Sequence, residues 1–288
     1  MIFYRLLDNV LYQVNDTNQI GFSTNDPSYI PDEYLDNREF VVFRTAHGIG
    51  DWGIISAMPR LLKLKYPDCK VYIPSEKLLE SLFGNPHKNA YITFNNNPYI
   101  DGFVDSINGD VFHDQYRIYN EQVPDIPLLE QMLNFWQFDP SEYEDSQPEI
   151  YWTDKEVELG EAIIKQHATD DFGCLLVSDR FGTQRGKHDE ESFKRDTLNM
   201  TKVLKENKLP YFYWSYKPLE DTPFNFIDTA LDMRHIDIRV QLYIKSRAVL
   251  NLSNQCGTNH MVVRYSKCYE SQRQFPIKHN YVKGEIYL

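Results

Sequence analysis

Two phrases of the chain each run from a short apolar segment through a glycine turn into apolar residues at helical spacing. They are "EFVVFRTAHGIGDWGIIS" (residues 39–56) and "AVLNLSNQCGTNHMVV" (residues 248–263). An apolar run as short as Phe40–Phe43 reads as a strand buried on both faces. A strand that passes through a tight turn into a helix belongs to a parallel sheet, because the next parallel strand is reached only over a crossover. One such junction early in the chain and one late predict two α/β blocks.

The intervening segments fit that expectation. After the first junction, Ile54, Ile55, Met58, Leu61 and Leu62 sit at helical spacing, with Pro59 kinking the helix or lying in its first turns. "CKVYIP" reads as a strand, "SEKLLESLF" as a helix capped by Ser75, "AYITF" as a strand and "DGFVDSI" as a further short strand. "LLEQMLNFWQF" reads as a helix, and the acidic, proline-containing "DPSEYEDSQPEIYWTD" as a linker. The alternation then restarts: helix "KEVELGEAIIKQHA", strand "FGCLLVS", helix "SFKRDTLNMTKVLKEN", strand "PYFYWSY", and strand "AVLNLS" before the second junction. Ahead of all this, "FYRLLDNVLYQV" has apolar runs on both sides of Asp8-Asn9 and reads as a short β-hairpin. The expected organisation is an N-terminal extension over 1–38 and two Rossmann-like domains, 39–145 and 146–288, facing each other across a cleft.

Composition narrows the function classes. With 42% hydrophobic residues, 20 Tyr and 17 Phe in 288 residues, a large core is available. A formal charge of -12 with no long basic run argues against nucleic acid and anionic lipid as partners. No apolar stretch approaches the roughly 18 residues of a membrane helix, and the N-terminus lacks a signal-peptide layout. A cytoplasmic protein is expected. Cys69, Cys174, Cys256 and Cys268 form no CxxC pair, so reduced thiols are expected and a zinc site is not.

Three segments carry candidate chemistry. In His47-Gly48-Ile49-Gly50-Asp51, the glycines permit unusual backbone conformations and close approach of a ligand, and the following helix would aim its free N–H groups at the strand's carboxyl end. With Gly53 the phrase matches G-x-G-x-x-G, and Glu76 follows the next strand, which is the layout of a dinucleotide site. Against that, Asp51 stands where a pyrophosphate would lie and would repel it. Asp51 also suits a plain helix N-cap. The second segment, Gln255-Cys256-Gly257-Thr258-Asn259-His260, places His260 in the first turn of a helix, a position suited to a diphosphate or to a turn with a surface histidine. A thiol at a helix start can be activated, but no base for Cys256 stands out. The third, "SDRFGTQRGKHDEESF", clusters Arg180, Arg185 and Lys187 after a strand; it is either a phosphate-neutralising loop or a solvated one.

In order along the chain, Gly48-Ile49-Gly50-Asp51, Pro59, Leu62 and Lys63, "YPDCKVYI", "NPYIDGFVDS", the basic loop ending at Lys187, and "LYIKSRAVLNLSNQCGTNHM" resemble the ADP-heptose:lipopolysaccharide heptosyltransferase family, which has the GT-B fold. The resemblance spans roughly Glu39 to Lys267. It implies a metal-independent, inverting glycosyltransferase with no cofactor beyond its co-substrate, a nucleotide-diphosphate sugar, and a glycan or other hydroxyl compound as acceptor. Asp51 would match the general base, with His47, Gly48 and Gly50 in the acceptor-side loop. Arg180, Arg185, Lys187, Gln255, Cys256, Gly257, Thr258 and His260 would bind the donor. The Asp-x-Asp motif of metal-dependent transferases is absent, and Asp232 and Asp237 are too far apart to form one. Where the family has an acid and a serine before the glycine, this chain has Gln255 and Cys256. That departure motivates a second expectation, a GT-B-derived binding or scaffolding module without catalysis. A nucleotide-sugar enzyme such as an epimerase is a third. Oligomeric state is left open.

Overall fold

The computed structural model of the chain describes residues 3–7, 10–14, 39–44, 48–84, 88–106, 110–113, 145–168, 171–177, 190–215, 218–227, 230–254, 257–271 and 284–288. The chain divides into two compact units, Met1–Tyr151 and Trp152–Leu288.

The first unit is built on a six-stranded sheet in the order β2-β1-β6-β3-β4-β5. The strands are β1 (Phe3–Leu7), β2 (Val10–Val14), β3 (Glu39–Phe43), β4 (Lys70–Pro74), β5 (Gly102–Val104) and β6 (Asp110–His113). Strands β3 to β6 are parallel, while β1 runs antiparallel to both β2 and β6. From β3 the chain builds outward through β4 and β5, then returns to add β6 on the other side. The topological switch therefore lies between β3 and β6, and open α/β sheets bind ligands at the carboxyl ends of the strands there. Phe40, Val42 and Phe43 are almost wholly buried, as a central parallel strand requires.

The helices of this unit correct two sequence expectations. The single helix expected here, with Pro59 as a kink or in its first turns, is two helices, α1 (Ile49–Ile54) and α2 (Met58–Lys65), and Pro59 does lie in the first turn of α2, where its missing N–H costs nothing. "AYITF" is not a strand but helix α4 (Asn89–Phe94). Ala90, Thr93 and Phe94 are buried, which is an i, i+3, i+4 stripe, and Phe94 meets Trp52 of α1 edge-to-face at 6.4 Å. Between them, α3 (Glu76–Phe83) starts as expected at Ser75, whose Oγ accepts the Leu78 N–H, and stops at Gly84 in the left-handed conformation (φ 66).

The second unit has a six-stranded, all-parallel sheet in the order β12-β11-β10-β7-β8-β9. Its elements are α5 (Asp154–His167), β7 (Gly173–Val177), α6 (Glu190–Glu206), β8 (Tyr211–Ser215), β9 (Ala230–Asp232), α7 (Ile238–Arg247), β10 (Leu250–Ser253), α8 (Gly257–Val262), β11 (Lys267–Glu270) and β12 (Glu285–Tyr287). The switch lies between β7 and β10, where Leu176 pairs with Ser253. One face of the sheet buries Leu175, Tyr213 and Leu252 with Met200 of α6; the other buries Cys174, Phe212 and Trp214 with Val240 and Ile244 of α7. Helices thus cover both faces, the doubly wound arrangement expected from alternation alone. Helix α5 packs on α7 through Gly160, at which a Cβ would stand 2.3 Å from Tyr243 Cδ1. Arg239 of α7 ties the same pair of helices together by binding Glu156 at 2.6 Å.

Among the described residues no helix is long and apolar enough to cross a membrane. The helix expected over 128–138 lies outside the described residues.

Candidate functional site

Each unit presents one of the two glycine junctions at the carboxyl end of a strand beside its switch point. In the first unit the chain leaves β3 at Arg44, and α1 begins after Gly48. Asp51 is not the N-cap. Gly48 is the N-cap, and Asp51 is the third helical residue, reaching back so that its Oδ2 accepts the Gly48 N–H at 3.2 Å. This is the reciprocal half of a capping box. Asp51 Oδ1 accepts from Arg44 Nη2 at 3.0 Å. The Arg44 side chain is 0% exposed and that of Asp51 19%, so the carboxylate lies at the rim with a buried cation behind it.

The geometry also changes the reason for the glycine. Gly48 has φ -70 and ψ 143, values open to any residue. A Cβ there would stand 2.5 Å from Asp51 Oδ2. Gly48 is needed for the room it leaves the carboxylate, not for a left-handed backbone, and Gly50 is simply the second residue of α1. Asp51 folds its carboxylate back over the start of α1, where a pyrophosphate would meet its negative charge, which argues further against that reading of G-x-G-x-x-G. His47 lies outside the described residues.

In the second unit, the chain leaves β10 at Ser253-Asn254 and re-enters a helix at Gly257. Arg180, Arg185 and Lys187, in the segment that follows β7, and Gln255 and Cys256 lie outside the described residues. Of the expected donor-side residues, Gly257, Thr258 and His260 are described, all on α8. Thr258 and His260 are buried, at 4% and 6% exposure, so His260 is not a surface histidine. Its Nδ1 pairs with a carboxylate oxygen of Glu285 on β12.

Beneath α8 lies a buried polar network that the sequence reading missed. Lys245 of α7, 1% exposed, donates from Nζ to Thr258 Oγ1 at 2.9 Å and to Asn259 Oδ1 at 2.6 Å, and stands 5.1 Å from the Trp214 ring centroid. Asn259 Nδ2 passes the connection to Ser253 Oγ at 2.9 Å. The switch-point strand β10 and helices α7 and α8 are thus joined through side chains. The one hint in sequence was a lysine at an otherwise apolar position of "VQLYIKS". Nearby thiols report how dry this region is: burial pushes Cys174 up to about 12, with Lys245 opposing weakly, and burial also raises Cys268. Neither is a reactive thiol.

These two units, one a mixed sheet with a parallel β6-β3-β4-β5 core and one an all-parallel sheet, each with a glycine junction at its switch point, define a GT-B-like α/β protein. No protein-family profile and no curated protein matches the chain. Among solved structures, the chain is similar to the glycosyl transferase family 9 protein from Veillonella parvula, with 11% identity, 88% of this chain and 86% of that chain covered, and a TM-score of 0.58. It is also similar to E. coli ADP-heptose lps heptosyltransferase II, with 9% identity, 86% and 92% coverage, and a TM-score of 0.46. The likeness to the family 9 structure establishes the fold, the one the sequence resemblance implied.

Proposed function

We propose that the chain transfers a glycosyl group from a nucleotide-diphosphate sugar to an acceptor hydroxyl with inversion, and that Asp51 is the general base. The observation that carries this reading is the placement of both glycine junctions at the switch points of their sheets, with a rim carboxylate at one and a helix start at the other. The fold shared with a family 9 glycosyl transferase supports it.

In the reaction, Asp51 takes the acceptor's proton as the hydroxyl oxygen forms its bond to the anomeric carbon. The bond from that carbon to the diphosphate breaks, and the nucleoside diphosphate leaves with the electron pair. The acceptor hydroxyl would donate to the same carboxylate that Arg44 and the Gly48 N–H bind. Arg44 and the Gly48 N–H fix the carboxylate's orientation, so the base is held in place before the substrate arrives. On the donor side, the start of α8 at Gly257 with Gln255, Cys256, Arg180, Arg185 and Lys187 would face the diphosphate, while the buried Thr258 holds Lys245 beneath the helix, so that transfer itself needs no metal. His260 would act from beneath α8 by fixing the helix.

The test is transfer activity over a panel of nucleotide-diphosphate sugars and hydroxyl acceptors, for the wild type and for Asp51→Asn. Asn keeps the shape and one acceptor oxygen, so the variant stays folded, and turnover falls by roughly 10²–10⁴. Wild-type turnover in a folded Asp51→Asn would remove Asp51 as the base. A second reading, a binding module without catalysis, is motivated by Gln255-Cys256, which stand where the resembled family has an acid and a serine. Calorimetry separates the two: nucleotide binding without turnover favours the module, and no binding of any nucleoside diphosphate defeats both.

A further inference from the structure

We propose that His260, Glu270 and Glu285 form a site for one divalent transition-metal ion that clamps helix α8 to the edge of the second sheet. The register brings the ligands together. On β11 and β12, Cys268 pairs with Glu285, and Glu270 lies two residues beyond Cys268, so both glutamates and Cys268 project from one face. Helix α8 lies on that face, with the Asn259 carbonyl 3.7 Å from Cys268 Sγ, and it delivers His260. One ligand atom from each of His260, Glu270 and Glu285 lies within 4.8 Å of the others. Ligand atoms about 2.1 Å from a tetrahedral ion stand about 3.4 Å apart, so closing round a metal asks for side-chain shifts of up to about 1 Å.

Burial strengthens the case. Glu270 is 1% exposed, the His260 side chain 7% and the Glu285 side chain 0%. Two carboxylates drawn together out of water are costly unless positive charge is close. A divalent ion held by both carboxylates and the imidazole would supply that charge at the centre of the cluster. The outer contacts also suit a ligand set: Glu270 Oε1 accepts from Ser253 Oγ at 3.5 Å, and Ser253 is held by Asn259, which is held by Lys245.

One imidazole and two carboxylates select Zn²⁺ or Mn²⁺ over Mg²⁺, which favours oxygen-only shells. The inaccessibility of all three side chains makes the ion structural, so the site does not depend on the transfer reading and supplies none of its chemistry. The test uses the full chain, stripped with chelator and titrated calorimetrically with ZnCl₂, MnCl₂ and MgCl₂. The expected result is uptake of one Zn²⁺ or Mn²⁺ per chain with a rise in the unfolding temperature. Loss of an outer-shell partner alone weakens metal sites by 10–100-fold, so Glu285→Gln, Glu270→Gln and His260→Asn should each weaken binding by about 100-fold or more. Circular dichroism shows which of them fold, and any one folded variant decides the matter. No uptake of Zn²⁺ or Mn²⁺ by the wild type, or unchanged affinity in a folded variant, overturns the proposal. Neither result bears on nucleotide binding or transfer, so the two readings fail separately.

Discussion

Replacing Lys245 by Met keeps an unbranched chain of similar length on α7 and removes the ammonium, so packing changes little. Two hydrogen bonds from a charged donor are lost, each contributing about 1.5–3 kcal/mol, along with a cation–π contact of about 1–2 kcal/mol. Against this, the variant no longer has to take an ammonium out of water, which costs several kcal/mol. Those quantities nearly cancel, so the sign is decided by what remains. The Thr258 hydroxyl can rotate to another partner. Asn259 is 0% exposed and its Nδ2 is already given to Ser253, so its Oδ1 cannot turn to a new donor. A buried acceptor left without its donor costs about 1–3 kcal/mol.

The expected net change is therefore a destabilisation of about 2 kcal/mol, or roughly 8 °C in the midpoint of a unit this size. Calorimetry and urea unfolding of the full chain would measure it. In an Asn259→Leu background the acceptor is already gone, so Lys245→Met should cost at least about 1 kcal/mol less than in the wild type. A Lys245→Met chain as stable as the wild type would mean that desolvation dominates. Additivity of the two substitutions to within about 0.5 kcal/mol would mean that Lys245 and Asn259 are not coupled, and the reasoning fails.

Gly160→Ala should destabilise the chain despite a helix-propensity gain of about 1 kcal/mol. Its Cβ would stand 2.3 Å from a Tyr243 ring whose hydroxyl donates to Glu161, and overpacking costs about 1–3 kcal/mol; a raised unfolding temperature would contradict this. Glu156 carries an acid sensitivity. Burial pushes its carboxyl up, but hydrogen bonds from Arg239 and from the Thr153 N–H outweigh that and hold it below the usual carboxylate range. Its contribution is therefore complete above the unfolded carboxyl's ordinary value near 4.5 and is lost as pH falls through the lower folded value. Unfolding measured from neutral pH downward should show a shallower acid loss in Glu156→Gln than in the wild type, and superimposable profiles would rule the pair out.

How far the sequence could be read depended on the range of the interaction. The doubly wound architecture was legible because strand–turn–helix alternation is local, and the Ser75 cap because it needs only a serine and an N–H three residues on. "AYITF" was misread because its β-branched and aromatic residues carry strand propensity, while the helix is chosen by packing of Ala90, Thr93 and Phe94 on α1, which no local pattern announces. Lys245 and the glutamates escaped for the same reason at longer range. Glu270 and Glu285 become neighbours only through the parallel register of β11 on β12, and nothing in a single sequence fixes that register.

Asp51 shows how a residue can be legible in position but not in partnership. The glycine phrase marked the junction, yet the reason for Gly48 is the carboxylate three residues later, and the reason the carboxylate stays put is Arg44, at the end of the preceding strand. Capping and catalysis are therefore not rival assignments for this side chain. A base that must receive a proton from an incoming hydroxyl has to be held at a fixed orientation without being buried, and a carboxylate bonded to its own N-cap N–H and backed by a buried guanidinium meets both conditions. The same contacts predict how the site fails. Asp51→Ala removes the cap bond and strips the Asp51 pairing from a guanidinium that is 0% exposed, so it should lose stability as well as turnover, whereas Asp51→Asn should lose mainly turnover. Equal unfolding temperatures for the two variants would show that Arg44 and Gly48 do not depend on the carboxylate, and the argument that they preorganise it would fall with them.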